Sequence, residues 1–144
     1  MMQLVSNRWK YLFIFLILQF SVFSCRKEQN TIIPYVPVSF TVNLNIVNDL
    51  NVPGNSVYFP GVGYGGIVVY CEVPGSYYAF DATCTNEVSN TCIVKNVGVL
   101  GTCPCCGSQF IFLSGAYPSK GPAELPLKQY NVSQLNNSTL RVYN

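Results

Sequence analysis

The stretch Cys103-Pro104-Cys105-Cys106-Gly107-Ser108-Gln109-Phe110 decides how the rest of this chain is read, together with Cys84-Thr85-Asn86 upstream. The later box gathers three thiols, Cys103, Cys105 and Cys106, within four residues. Thiols gathered in this way serve disulfide, metal or cluster chemistry, because the thiolate is both a soft ligand and a nucleophile. Any assignment must do without imidazole, since the sequence contains no His.

Outward from the boxes the pattern is β. Val38, Phe40, Val42, Leu44 and Ile46 alternate with Ser39, Thr41, Asn43 and Asn45, the period-2 signature of a strand buried on one face. Shorter β-like runs follow at 57–59, 67–72, 77–81, 92–95, 109–113, 127–132 and 140–143, separated by turns such as Pro74-Gly75-Ser76 and Asn136-Asn137-Ser138. No segment after the N-terminal region sustains a 3.6-residue period. With aromatics at 14% of residues, the pattern predicts an all-β, antiparallel sandwich or small barrel. Gly61-Val62-Gly63-Tyr64-Gly65-Gly66 is read as a glycine-rich loop entering a strand. A dinucleotide fingerprint would need a helix N-terminus after it, and a β-branched run follows instead.

Residues 1–24 read as an export signal, with Arg8 and Lys10 preceding an apolar run over 11–23. That run is shorter than the about 20 apolar residues a membrane span requires, and Gln19 and Ser21 interrupt it, so cleavage is expected. Val22-Phe23-Ser24-Cys25 resembles the bacterial lipobox, which implies lipidation of Cys25 and anchoring in the cell envelope, facing the periplasm or the cell surface. An ordinary signal peptide that leaves Cys25 as a thiol is the alternative. Residues 25–37, polar and then punctuated by Pro34 and Pro37, read as a tether, and 38–144 as one folded domain. Beyond residue 24 the basic Arg26, Lys27, Lys95, Lys120, Lys128 and Arg141 balance Glu28, Asp49, Glu72, Asp81, Glu87 and Glu124, so no basic patch points to nucleic acid. An exported chain can keep disulfides.

The two cysteine boxes and their surroundings resemble the Rieske [2Fe–2S] family. Gly66-Ile67-Val68-Val69-Tyr70, Tyr77-Tyr78-Ala79-Phe80-Asp81-Ala82-Thr83-Cys84, the 103–108 box, Gly121-Pro122-Ala123 and Pro126-Leu127-Lys128-Gln129-Tyr130 fall in the family's order, over residues 57–143. The resemblance implies a Rieske-like β fold with a two-loop cysteine site. In that pattern each loop supplies one Cys and one His to the cluster. Cys84 and Cys103 match the thiolate positions, whereas Asn86 and Cys106 stand where the histidines belong, so a His-ligated centre is excluded within this chain. Cys92 and Cys105 lie where many family members carry a second Cys on each loop. The resemblance thus implies a Cys92–Cys105 disulfide clamping the loops.

Three ligand sets remain open from the residues. Cys84, Cys103 and Cys106 with Asn86 would pair three thiolates with a weak carboxamide oxygen. Cys84, Cys92, Cys103 and Cys106 would give four thiolates, suited to Zn²⁺ or an all-Cys [2Fe–2S] cluster. Disulfides with no metal are the third. Cys71 is expected to be a small strand side chain outside the site, as a hairpin turning at Pro74-Gly75 carries it away from Cys84.

Two functions follow as expectations. One is electron transfer by an envelope-anchored Rieske-like lipoprotein through a non-standard iron–sulfur or metal site, with a redox or other protein as partner. The other is a cluster-free structural or binding module held by disulfides or zinc. Independent catalysis is not expected, because His is absent and no carboxylate pair or Ser–base arrangement stands out.

Overall fold

The computed structural model describes residues 32–113 and 115–144. The export segment and Cys25 lie outside the described residues. Among the described residues ten strands form two antiparallel sheets: β1 Ser39–Asn43, β2 Ser56–Phe59, β3 Ile67–Val73, β4 Ser76–Asp81, β5 Lys95–Val97, β6 Leu100–Thr102, β7 Gln109–Ile111, β8 Tyr117–Lys120, β9 Gln129–Asn136 and β10 Thr139–Tyr143. The larger sheet runs β1-β10-β9-β4-β3-β2 and the smaller β5-β6-β7-β8. No helix among the described residues is long and apolar enough to cross a membrane.

The larger sheet curls. Phe40 on β1 and Phe59 on β2 belong to its opposite edges, yet their rings meet at 5.5 Å. Inside the curl, Val42, Leu140 and Val142 pack on Ile67, Val69 and Cys71. The other face of the same strands carries Val68, Tyr70 and Phe80, which pack against Phe110 and Phe112 of the small-sheet region. β3 is therefore buried on both faces, which is why 67–71 reads as an unbroken apolar run and not an alternation. Each fully buried aromatic or aliphatic side chain here contributes about 1.5–3 kcal/mol.

The long alternation over 38–46 becomes a strand only to Asn43. Leu44 remains buried, but Asn43 Oδ1 accepts the Asn45 N–H at 2.9 Å, turning the chain and leaving Ile46 78% exposed. The run at 92–95 contributes a single bridge, Thr83 to Ile93, with the strand itself starting at Lys95. β6 and β8 were not expected from the pattern. Both are short, and β8 contains Pro118, tolerated because β8 is the edge of its sheet.

The packed body begins before Val38. Ile33 is 3% exposed, and the Lys128 ammonium donates to the Pro34 carbonyl at 3.1 Å while lying 5.5 Å from the ring centres of both Tyr35 and Tyr130. Asn144 completes the clasp, accepting from Val38 N–H at 3.0 Å and donating to the Val36 carbonyl at 2.8 Å. Residues 32–37, placed in the tether by their proline content, thus lie along the body.

Candidate thiol centre

Two loops carry the cysteines of the site, one joining the large sheet to the small and one within the small sheet. The first, 84–92, lies between β4 and β5 and is closed at its base by Cys84 N–H donating to the Cys92 carbonyl at 3.2 Å. The second, 103–108, is the β6–β7 connection. It is pinned by Cys103 N–H to the Ser108 carbonyl at 2.8 Å and Gly107 N–H to the Cys103 carbonyl at 2.9 Å.

The Cys92 and Cys105 sulfurs are bonded, with Cα atoms 5.7 Å apart, so a covalent clamp joins the two loops at their outer side. Closing a loop of this size stabilises the fold by about 2–4 kcal/mol on chain-entropy grounds. The four-thiolate set is corrected by this bond, because a sulfur engaged in a disulfide offers no thiolate to a metal. The thiols that converge are Cys84, Cys103 and Cys106, whose sulfurs all lie within 4.8 Å of one another. Cys84 and Cys103 are buried, whereas Cys106 is half-buried at the surface. The Cys84 and Cys106 sulfurs are 3.6 Å apart. Asn86 is exposed on the first loop, and its backbone N–H, with that of Glu87, faces the Cys84 sulfur. Cys71 is buried in the other core, inside the curl of the large sheet.

The environment splits the thiols. Burial dominates at Cys84 and, with the contact to Cys103, pushes it up to about 12 despite the N–H groups of Asn86 and Glu87. Burial also acts to raise Cys106, but the Ser108 hydroxyl and N–H, with the neighbouring thiols, outweigh it and bring Cys106 down to about 7. The Ser108 hydroxyl oxygen accepts the Ala123 N–H at 3.0 Å and lies 3.1 Å from the Cys106 sulfur, leaving its own proton for that sulfur.

A third loop, 121–127, backs the pair. Gly121 has φ 94°, and a Cβ there would come within 2.5 Å of Ser108 Cα, so this loop reaches Ser108 only with glycine at that position. Thr85 Oγ1 donates to the Leu125 carbonyl at 2.7 Å, tying the first loop to the same support.

Sequence reasoning missed the group that holds the first loop from below. Asp81, fully buried at the end of β4, accepts from Tyr64 N–H at 2.9 Å, Gly65 N–H at 3.1 Å, Thr83 N–H at 3.0 Å, Thr83 Oγ1 at 2.6 Å and Tyr130 OH at 2.8 Å. The glycine-rich stretch exists for this contact: a Cβ on Gly65 would run into Thr83 Oγ1, and one on Gly66 into the Tyr58 ring. Burial, then the nearby Asp81, pushes the Tyr130 hydroxyl well above its ordinary value. Nothing in the local pattern marks Asp81, since an acidic residue ending an apolar run usually meets water.

A Rieske cluster needs two thiolates and two imidazoles, and an all-Cys cluster needs four thiolates. Three thiols, an exposed Asn86 and a disulfide do not fit either one. The trio can instead hold one soft metal ion or exchange electrons as thiols.

No protein-family model matches the chain, and no curated protein matches it. Among solved structures, a chain of the complex of reduced oxygenase and oxidized ferredoxin in carbazole 1,9a-dioxygenase matches with a TM-score of 0.51 at 23% identity, covering 74% of this chain and 93% of that one. The ferredoxin of carbazole 1,9a-dioxygenase from Nocardioides aromaticivorans IC177 matches with a TM-score of 0.48 at 22% identity, covering 76% and 98%. The likeness is one of fold: an all-β, Rieske-like antiparallel architecture carrying a two-loop cysteine site.

Proposed function

We propose that this chain is a divergent Rieske-like lipoprotein, held to a bacterial membrane in the cell envelope by a lipid on Cys25, that transfers electrons with a protein partner through its cysteine pocket. The observation that carries this reading is the convergence of Cys84, Cys103 and Cys106 beneath loops clamped by Cys92–Cys105. The likeness to a chain of the complex of reduced oxygenase and oxidized ferredoxin in carbazole 1,9a-dioxygenase supports a protein as the electron partner. The chain's own residues supply the parts such a role needs. The Cys84 and Cys103 thiols are buried, the half-buried Cys106 meets the surface, and the Ser108 and Asp81 networks hold both loops in register.

A second reading has its own support. The disulfide and the three supporting loops can hold the pocket's shape without a metal, as a structural or binding module requires. Anaerobic purification of the mature chain separates the two. Bound redox metal with visible absorption, or a reversible thiol couple, supports electron transfer. A colourless protein whose thiols neither bind metal nor oxidise reversibly leaves the structural module.

A further inference from the structure

We infer that Cys106 and Cys84 form a nucleophile and resolving pair that reduces disulfide bonds, making the pocket's substrate class a disulfide presented at the surface of the 103–108 loop. This rests on the redox reading of the pocket and names its carrier. Three features of the geometry support it. Cys106 is the half-buried thiol of the trio, on a loop whose Pro104, Cys105 and Gly107 are exposed, so a substrate sulfur can reach it. Its sulfur lies 3.6 Å from that of Cys84, which is fully buried and out of a substrate's reach. The Ser108 hydroxyl at 3.1 Å is oriented by Ala123 to donate to the attacking sulfur.

The exchange balances without a metal. The Cys106 thiolate attacks one sulfur of the substrate disulfide, forming a mixed disulfide and releasing the first substrate thiolate. Cys84 then attacks the Cys106 sulfur, closing a Cys84–Cys106 disulfide and releasing the second. A pair of electrons passes from the cysteines to the substrate, and the protons the cysteines carried end on the released thiols. In this exchange Cys103 stays a thiol and the Cys92–Cys105 bond stays closed.

The test uses the full mature chain bearing Cys25→Ala, purified anaerobically with the Cys92–Cys105 bond verified by peptide mapping. It is mixed with oxidised glutathione, quenched in acid and read by intact mass and disulfide map. The expected result is a Cys84–Cys106 disulfide with no retained glutathione. Cys84→Ala should hold one glutathione on Cys106, and Cys106→Ser should lose exchange. Should Cys84→Ala fail to fold, the near-isosteric Cys84→Ser serves as the trapping variant. Trapping by Cys103→Ala instead, or undiminished exchange in Cys106→Ser, overturns the pair. A chain that carries a redox metal on the trio and ignores glutathione disulfide overturns the exchange while leaving electron transfer standing. A colourless, metal-free and inert chain removes both.

Discussion

Cys84 and Cys106 are the same side chain in contact with one another, and their surroundings drive them in opposite directions. Cys106, lowered to about 7, favours folding when ionised; that contribution is complete above the ordinary thiol value and is lost as pH falls through about 7. Cys84, raised to about 12, contributes below the ordinary thiol value and loses the contribution as pH rises through about 12. In the metal-free protein, iodoacetamide should label Cys106 with a midpoint near 7 while Cys84 stays unlabelled through the ordinary thiol range, as peptide mapping across a pH series would read. Equal labelling of both would contradict the assigned environments. Asp81 belongs to the same scale. Asp81→Asn sets an amide N–H₂ against donors from Tyr64, Gly65, Thr83 or Tyr130, and an unsatisfied buried donor costs about 1–3 kcal/mol. Thermal unfolding should show that loss, whereas an unchanged melting temperature would mean the network is dispensable.

At the scale of elements, the site is a meeting of three loops fixed by one covalent bond and one glycine. Replacing Cys92 and Cys105 together by Ala should cost about 2–4 kcal/mol in denaturant unfolding and open Cys84 to labelling in the native state. Retained protection of Cys84 would show that hydrogen bonds alone hold the loops. Gly121→Ala combines an unfavourable positive φ with a collision at Ser108, so it should destabilise by more than about 1 kcal/mol and blunt the low-pH reactivity of Cys106. The strands of the large sheet were legible because most are long enough to show a run or an alternation. β5, β6 and β8 were not, since Lys95–Val97, Leu100–Thr102 and Tyr117–Lys120 are short and hold Asn96, Gly101 and Pro118. Their β state comes from pairing with β7 and its neighbours, not from their own composition.

For the whole molecule, the residues that precede β1 are held against the body. Lys128, between Tyr35 and Tyr130, and Asn144, bonded to Val36 and Val38, fasten residues 33–38 along the body. Lys128→Ala should release this strap, and limited proteolysis would read it as faster cleavage near residue 35 with the rest of the body intact. Separately, Cys25→Ala should move the protein from the membrane to the soluble fraction. Continued membrane association after cleavage of the export segment would rule out the lipid anchor.

Periodicity, a local property, sufficed to define an all-β body, and the motif order shared with the Rieske family marked the 84–92 and 103–108 loops as one site. The absence of His was equally plain in composition and removed the imidazole-ligated cluster before any geometry was known. Which cysteines pair was a different matter. Cys92 could be ligand or clamp by spacing alone, and only the approach of the loops, with the Cys92 and Cys105 Cα atoms 5.7 Å apart, makes it a clamp and leaves three thiols facing one another. Asp81, Ser108 and Gly121 owe their roles to partners distant in the chain, at Tyr130, Ala123 and Ser108 respectively. Contacts of that range depend on how sheets stack and loops converge, a property of the folded chain that no window of sequence contains.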